Sequence, residues 1–314
     1  MSLRVTAKQS HGLVTLTSGL PPRFTPRNDS NPRIMKDINI VFVNYFMKDD
    51  ICNAVDSVLK DIANCPYDVQ ITVADNSENK DNIKEDLAVK FPSVKYVDCG
   101  GNVGFGQGNT IGFKATPARY YFALNRDTTI PENLRTIERI IKFMDQHPKI
   151  GCIGPKLLNN DWTLQYSCYR FDLQSILIKP LKQINFDKKY KWVKKYSDRL
   201  LMKDFDHNET MPVDWVLGAA MVVRKEVVDQ IGWFDERYFM YLEDCDWCRT
   251  MWDHGWPVYY AHDIIIMHKY ARESAKVPGI FKALIKNKLA RIHLVSWLKY
   301  MWKWRGNNKY YAAT

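Results

Sequence analysis

Short apolar runs alternate with helix-forming segments between Asp37 and Ile153, and this alternation limits the possible folds more than any other feature. The apolar runs have the length of buried strands and cover residues 38–43, 69–73, 94–97, 120–124 and 150–153. The segments between them have helical spacing or composition and cover residues 49–62, 79–90, 103–115 and 131–146. The pattern predicts an α/β fold with a Rossmann-like, mostly parallel sheet and helices on both faces.

The second half of the chain is less regular. Residues 160–212 show little periodicity, whereas Trp215 to Arg224 indicates a strand pair around Gly218. The pattern further predicts a helix at 243–254, and then one or two strands and a long helix, at 257–266 and 281–304.

Polar and glycine-rich segments follow the first four predicted strands. In an open parallel sheet, ligands bind beyond the carboxyl ends of the strands, so these segments are expected to form one rim. They are Asn44-Tyr45, Asp75-Asn76, 98–102 and 125–127.

Two of these segments suit a nucleotide. The carboxylate of Asp75 can accept a hydrogen bond from a base or ribose, although Asp, Asn and Ser are also good helix caps. The run from Gly100 to Asn109 can open a helix whose free N–H groups bind phosphate, although helix–sheet packing explains one or two of its glycines. It matches neither a dinucleotide-binding fingerprint nor a P-loop.

Asp127 and His268 suit a divalent cation. Asp127 follows a strand, and a carboxylate there can bind Mg²⁺ together with substrate phosphates. His268 follows the apolar run 264–267, and a neutral imidazole can complete the coordination of a metal. The alternatives are an ordinary turn Asp and a structural His.

An acidic and aromatic block spans Phe234 to Trp247. Within it, Asp244 can act as the general base for an acceptor hydroxyl, because burial among aromatic side chains raises the pKa of a carboxyl group. The alternative is a set of acids that favours a helix N-terminus.

The charge of the chain is concentrated at its C-terminus. The net charge is +10, and the segment from Ser274 to the end has nine basic residues and no acidic one. Its basic residues alternate with apolar and Trp side chains. This favours an interfacial helix on an anionic membrane surface through 279–305, and the alternative is a helix docked on the body. The nearly neutral body argues against a nucleic-acid partner.

Residues 1–34 are rich in Ser, Thr, Pro and Arg, and we expect a flexible leader or an added extension there. The seven cysteines are expected to be free thiols in a reducing compartment, including the Cys245 and Cys248 pair. No apolar run has the length of a transmembrane helix.

The order of these segments resembles glycosyltransferase family 2 over residues 38–274, and it is most similar to the rhamnosyltransferase-like branch. The matching segments are Asp75-Asn76-Ser77, GNVGFGQGN, LNRD, GPKLLNNDWTLQYSCYRF, WVLGAAMVVRKEVVDQIGWFDERYFMYLEDCDW and IIIMH. The resemblance implies a GT-A fold over residues 35–278, with a nucleotide half at 35–154 and an acceptor half at 155–278. The basic tail at 279–314 then follows as an amphipathic helix.

The resemblance also implies residue roles. Asp244 would be the base, with Glu243 as the fallback, and Asp127 and His268 would bind Mg²⁺ or Mn²⁺. The donor would be bound by Asn44, Tyr45, Asp75, Asn76, Asn102, Gly104, Gly106, Asn125 and Arg126. The acceptor side would include Trp215, Gly218, Asp235 and Asp246. Asn125 replaces the first Asp of the family's D-x-D motif, which puts strict metal dependence in doubt.

The function implied is inverting transfer of a sugar, rhamnose from dTDP-rhamnose in the first instance, to a lipid-linked or polysaccharide acceptor in cell-surface polysaccharide synthesis. A UDP-sugar transferase and a non-catalytic sugar-nucleotide-binding protein are the alternatives. We expect a cytoplasmic protein, peripheral at the inner face of the membrane.

Overall fold

The computed structural model describes residues 35–171, 190–269 and 287–307. The strands are β1 (Lys36–Asn44), β2 (Val69–Asp75), β3 (Lys95–Asp98), β4 (Ala118–Leu124), β5 (Thr128–Thr129), β6 (Cys152–Leu158), β7 (Leu164–Gln165), β8 (Cys168–Tyr169), β9 (Met211–Pro212), β10 (Trp215–Val216), β11 (Ala220–Arg224) and β12 (Val258–His268). The helices are α1 (Lys48–Ile62), α2 (Ile83–Lys90), α3 (Phe105–Ala115), α4 (Thr136–Gln146), α5 (Lys191–Leu200), α6 (Lys225–Ile231), α7 (Glu243–Asp253) and α8 (Lys288–Lys303).

The main sheet has the order β3-β2-β1-β4-β11-β6-β12-β5. Strands β3, β2, β1 and β4 are parallel, β11 is antiparallel to both of its neighbours, and β6 and β12 are parallel. The predicted α/β fold with a mostly parallel sheet is therefore confirmed. The antiparallel β11 joins the nucleotide half to the strands of the second half.

Helices cover both faces of the sheet because successive side chains of a strand point to opposite faces. Ile38, Ile40 and Phe42 of β1 are buried in one core with α1 and α4. Val41 is buried in the other core, which contains residues of α3, α6 and α7. The continuous apolar pattern of β1 in the sequence reflects this two-sided burial.

Two sequence predictions for the second half were incomplete. Helix α5 lies in the region for which no element was predicted, because it buries only Val193, Ser197 and Leu200. The two strands predicted around Gly218 are present, but they do not pair with each other. Strand β10 pairs with β8 in a separate two-stranded sheet, whereas β11 lies in the main sheet. The amide of Gly218 donates to the carboxylate of Asp244 at 2.8 Å instead of closing a hairpin.

Helix α8 is docked on the body, as one of the two alternatives for the basic tail predicted. It buries Ser296 and Tyr300, and Trp304 just beyond its end is 7% exposed. The predicted leader at 1–34, the start of the predicted helix at 281–286 and the end of the tail at 308–314 lie outside the described residues.

All seven cysteines are free. Within the described ranges, no helix has the length and the apolar character needed to cross a bilayer.

Candidate active site

The polar residues at the ends of the first three strands do share one rim. In the strand register, Asn44 lies opposite Asp75, and Asp75 lies opposite Asp98. The side chain of Asn44 donates to Asp75 Oδ1 at 2.8 Å, so these neighbours are also in direct contact. Tyr45 follows them and is 48% exposed.

The buried carboxylate of Asp75 accepts hydrogen bonds on both of its oxygens. Oδ1 accepts from Asn44 and from the amide and the hydroxyl of Ser77, and Oδ2 accepts from the amide of Asn79 and the hydroxyl of Tyr96. Burial alone would raise the pKa of Asp75, but these hydrogen bonds outweigh burial and lower it. The carboxylate therefore holds the turn after β2 in place, and its contact with a donor base stays a prediction.

The turn before α3 is held by its own polar groups. The amide of Gly104 donates to Asn102 Oδ1 at 3.1 Å, and the amide of Phe105 donates to the carbonyl of Phe239 at 3.1 Å. Asn76 donates to the carbonyl of Gly104 at 3.1 Å. These two amides at the start of α3 are therefore already bonded within the protein, whereas the sequence led us to expect N–H groups open to phosphate.

Close packing explains more of the glycines than the sequence suggested. A Cβ on Gly104 would lie 1.9 Å from the carbonyl oxygen of Phe239, and the φ of Gly104 is +87°. A Cβ on Gly108 or Gly112 would meet Val43 or Val41 of β1 at 2.9 or 2.4 Å. The packing of α3 by itself accounts for these glycines. The contacts of Asn102, Gly104 and Gly106 with a sugar-nucleotide donor therefore stay predictions.

A short segment of the chain connects the two candidate chemical centres. The amide of Asn125, which starts the turn containing Arg126 and Asp127, donates to the carbonyl of Ala219 at 2.8 Å. The preceding residue, Gly218, donates its amide to Asp244 Oδ2 at 2.8 Å. The candidate metal turn and the candidate base are thus fixed to adjacent residues.

The pairing of β12 with β5 brings Asp127 and His268 together from distant parts of the sequence. His268 lies opposite Thr128 in this pair, and His268 Nε2 is 3.3 Å from Asp127 Oδ1. Burial raises the pKa of Asp127, but the contact with His268 outweighs it and the pKa is lowered. The carboxylate is therefore ionised at neutral pH.

Gln165 orients the imidazole of His268. Its Oε1 lies 2.9 Å from His268 Nδ1, so Nδ1 carries a proton and Nε2 faces Asp127. With a proton on Nε2 the imidazole donates to the carboxylate, and this contact lowers the pKa of Asp127; without that proton Nε2 offers its lone pair to a cation. The nitrogen and oxygen donors therefore fit a divalent cation that takes its remaining ligands from substrate phosphates. Within the described ranges, no group of three or more His, Cys, Asp or Glu side chains is placed to hold a metal.

Asp244 lies near the start of α7 and is partly exposed. Its Oδ2 accepts from the amide of Gly218, and its Oδ1 accepts from the amide of Cys245, both at 2.8 Å. A Cβ on Gly218 would meet Asp244 Oδ2 and the ring of Phe105 at 3.3 Å, so a larger residue would displace these groups by a few tenths of an ångström. The two amides orient the carboxylate of this partly exposed residue.

Glu243, beside it, has a different environment. Its side chain is 5% exposed, and Oε2 has no hydrogen-bond partner among the described residues. Burial raises the pKa of Glu243 well above its ordinary value, and the neighbouring charge of Asp244 raises it further. A buried carboxyl group cannot contact an acceptor hydroxyl, so the partly exposed Asp244 is favoured over Glu243 as the base.

Two residues expected on the acceptor side, Asp246 and Asp235, are paired or hydrogen-bonded with other residues of the protein. Asp246 is 1% exposed and accepts from Tyr238 Oη at 3.1 Å, Lys303 Nζ at 2.6 Å and Trp304 Nε1 at 2.7 Å. Asp235 pairs with Arg237 and also accepts from Lys303 at 3.0 Å. The prediction that Asp246 faces an acceptor is therefore corrected: its carboxylate anchors the end of α8.

Trp215 stacks on Tyr169 at a centroid distance of 4.3 Å, across the pair of β10 and β8. Only residues 216–217 separate Trp215 of this stacked pair from Gly218, whose amide holds Asp244. The contact of Trp215 with an acceptor stays a prediction.

Sequence reasoning missed Gln165, Lys303 and Trp304. Gln165 belongs to the quoted segment GPKLLNNDWTLQYSCYRF, but a lone Gln carries no signal of a role in orienting a histidine. Lys303 and Trp304 were noted only as parts of an amphipathic tail. A buried acid such as Asp246 requires a cationic partner, and this requirement was the one signal that could have indicated Lys303.

A comparison with solved structures finds the same fold. A crystal structure of GalNAc-T7 with UDP, GalNAc and Mn²⁺ superposes with a TM-score of 0.53 at 13% identity and covers 81% of this chain. This chain spans 48% of that structure's length, and the likeness shows the fold alone.

Curated relatives are similar at low identity. An N-acetylglucosaminyl-diphospho-decaprenol L-rhamnosyltransferase of Mycobacterium tuberculosis is 23% identical over 67% of this chain and 70% of its own length. The dTDP-rhamnosyl transferase RfbF of Shigella flexneri is 25% identical over 78% of this chain and 73% of its own. The low-salt glycan biosynthesis hexosyltransferase Agl10 of Haloferax volcanii is 25% identical over 68% and 61%.

The model of the family described as "Glycosyltransferase like family 2" matches residues 36–293. This range is well over half of the chain and contains both candidate centres. The chain is therefore a glycosyltransferase and belongs to family 2.

Proposed function

We propose that this enzyme transfers a sugar, with inversion, from a nucleotide diphosphate donor to an acceptor hydroxyl. The observation that carries the proposal is the attachment of Asn125 and Asp244 to the adjacent residues Ala219 and Gly218. The turn that begins at Asn125 and the partly exposed carboxylate of Asp244 are held by adjacent residues, which supports a phosphate site beside a base. Transfer to a hydroxyl requires both, one group for the leaving diphosphate and one for the proton of the acceptor.

Asp244 takes the proton from the acceptor hydroxyl as that hydroxyl attacks the anomeric carbon from the face opposite the diphosphate. The amides of Gly218 and Cys245 keep the carboxylate in place through the transfer. Glu243 is 5% exposed, so we assign the proton transfer to the partly exposed Asp244. General base catalysis of this kind contributes about 10²–10⁴-fold in rate.

Asp127 and His268 would hold Mg²⁺ or Mn²⁺. When bound, such an ion stabilises the negative charge that develops on the leaving diphosphate. Gln165 keeps His268 in the tautomer that presents Nε2, and Asp127 stays ionised because its pKa is lowered.

The donor we propose is dTDP-rhamnose, with a UDP-sugar as the alternative. Two of the relatives are named rhamnosyltransferases, and one of these names contains a diphosphate-linked lipid acceptor. The acceptor we propose is accordingly a glycan carried on a lipid diphosphate, in the synthesis of a cell-surface polysaccharide.

The test is release of nucleotide diphosphate from a panel of dTDP-, UDP- and GDP-sugars, with Mg²⁺ or Mn²⁺ and with EDTA. We expect release from dTDP-rhamnose that EDTA suppresses. Donor-induced thermal shifts are recorded on the same samples. The absence of both release and thermal shift for every donor would contradict the proposal, and release from a UDP-sugar alone would change the donor.

We further propose that the protein is cytoplasmic and works at the inner face of a membrane, and that α8 makes the contact. The outward side of the docked helix exposes Leu294, Val295, Leu298 and Trp302, by 40%, 49%, 54% and 69%. These positions lie on one side of a helix, and Arg305 stacks on Trp302 at 4.2 Å. Apolar side chains with cations at their edge fit an anionic lipid surface.

Flotation with phosphatidylglycerol vesicles tests this contact. Trp302→Ser is expected to reduce bound protein severalfold, whereas Trp192→Ser, a replacement of a Trp that is 61% exposed on α5, is not. Equal loss in both variants, or in neither, would contradict the contact. Point variants are needed because truncation of the tail also removes Lys303 from Asp246.

A further inference from the structure

We infer that the groove between α8 and the loop before α7 binds the diphosphate of a lipid-carried acceptor. The groove has a volume of about 350 Å³, at the lower end of the range for ligand pockets. Lys288, Arg291 and Lys299 line it together with the apolar side chains of Phe239, Ile292 and Val295. This inference rests on the proposed transfer to a lipid-carried acceptor and assigns a binding site to the diphosphate of that acceptor.

The charges of the groove favour an anion. Among the described residues, three cationic side chains and no acidic one line it. Lys288 and Arg291 lie in the first turn of α8, where the helix dipole disfavours positive charge and where there is no acidic residue. Lys299 donates to the carbonyl of Arg237 at 2.6 Å, and an ammonium group has two further N–H donors for a ligand.

A second groove, on α5, shows that cations alone do not make such a site. It is of similar size, about 410 Å³, and is lined by Lys191, Lys194, Lys195 and Arg199. Asp198 and Asp204 also line it, and Asp198 pairs with Lys194 at 2.8 Å. The positive charge of that groove is thus partly neutralised within the protein.

The apolar wall favours an amphipathic ligand over free phosphate. Val295 both lines the groove and belongs to the outward apolar side of α8, so the groove opens alongside the surface proposed to meet the lipid. A diphosphate bound by the three cations could leave its lipid chain along this side.

Successive contacts link the loop of Phe239, at the side of the groove, to the candidate base. The carbonyl of Phe239 accepts from the amide of Phe105, and the ring of Phe105 borders Gly218, which holds Asp244. The loop containing Phe239 is fixed to α8 by Ser296, whose hydroxyl donates to the carbonyl of Met240 at 2.7 Å. A sugar attached to the diphosphate would therefore extend toward Asp244.

The test uses farnesyl diphosphate as the probe, below its micelle concentration, in isothermal titration calorimetry with EDTA present. EDTA excludes cation-mediated binding of the probe at Asp127 and His268. We expect K288Q/R291Q to bind the probe about tenfold or more weakly than the unmodified chain, because two charge-assisted contacts are lost. The matched control, K191Q/K195Q, removes the same charge from the second groove and is expected to bind normally.

Farnesol and inorganic pyrophosphate separate the two parts of the ligand. Each is expected to bind about tenfold or more weakly than farnesyl diphosphate. Val295→Ser, at a position that is 49% exposed, is expected to weaken farnesyl diphosphate and leave pyrophosphate unchanged.

The inference is overturned by no binding of farnesyl diphosphate, by equal affinities in the two double variants, or by pyrophosphate binding as tightly as farnesyl diphosphate. Binding is measured without donor, so its result is independent of sugar transfer. Release of nucleotide diphosphate without probe binding would leave the proposed function intact and reject the groove. Probe binding with neither release nor a donor-induced thermal shift for any donor would reject the proposed function.

Discussion

Buried acidic groups in the two halves of the enzyme have their pKa values shifted in opposite directions by their surroundings. In the nucleotide half, both oxygens of Asp75 accept hydrogen bonds, and its pKa is lowered. In the second half, Glu243 Oε2 has no hydrogen-bond partner among the described residues, and burial raises the pKa of both Glu243 and Asp246. The carboxylate of Asp75 stabilises a turn, whereas the burial of Glu243 and Asp246 carries an electrostatic cost. Acids with unfavourable burial are typical of functional sites, and Asp244 lies between these two.

The largest expected effect is that of Asp244→Asn, because this variant tests the proposed general base separately from the structural acids beside it. Transfer should fall by about 10²–10⁴-fold while donor affinity is largely kept, since an amide cannot take the acceptor proton. Steady-state transfer and donor titration measure the two effects. Glu236→Gln, which removes an exposed acid of the same block, is the control and should retain near-normal rates. Near-normal transfer in Asp244→Asn would reject this residue as the base.

The next effect is on stability and concerns Asp246. Lys303→Met should lower the free energy of unfolding by about 3–5 kcal/mol, because it leaves a carboxylate that is 1% exposed without its cation. Denaturant titration measures the loss. Burial raises the pKa of Asp246 and Lys303 opposes that effect, so the loss should grow as the pH rises through the raised pKa of Asp246.

The double variant Lys303→Met, Asp246→Asn is the control for this prediction. It should recover part of the loss, because no buried charge remains. A loss in Lys303→Met that is independent of pH would show that the packing of the lysine, and not its charge, stabilises α8.

A smaller effect is expected from Gln165→Leu. Without its hydrogen-bond partner on Nδ1, His268 loses its fixed tautomer and orientation, and the affinity for Mn²⁺ should fall by about 10–100-fold. Mn²⁺ binding followed by electron paramagnetic resonance checks this without reference to activity. Unchanged Mn²⁺ affinity would contradict the role of Gln165.

The smallest effect tests the buried acid directly. Because the pKa of Glu243 is raised by folding, the folded state binds more protons than the unfolded state above pH 4.5, and stability decreases as the pH rises toward the folded pKa. Glu243→Gln removes this decrease, so near neutral pH it should raise the free energy of unfolding by about 1 kcal/mol or more. Thermal unfolding at pH 5 and pH 8 measures the difference. Asp75→Asn should do the reverse and destabilise at pH 8, because the pKa of Asp75 is lowered by folding.

The sequence by itself determined the architecture of the nucleotide half. Strands with continuous apolar runs must be buried on both faces, and successive helices must cover them, so the order and the rim of β1 to β4 could be predicted from local patterns. The candidate residues Asp127, Asp244 and His268 were identified from sequence as well. Where local signals compete, the prediction was incomplete, as in α5 and in the pairing of the strands around Gly218.

Tertiary structure alone decided which of these residues act together. The contact of Asp127 with His268 depends on the pairing of β5 with β12, which are distant in sequence. The resemblance already ranked Asp244 before Glu243, and the burial of Glu243, which the sequence does not reveal, supplies a physical reason for that order. Asp246 is a structural anchor because α8 folds back and places Lys303 and Trp304 on it. Each decision follows from long-range contacts, and local sequence patterns carry little information about these.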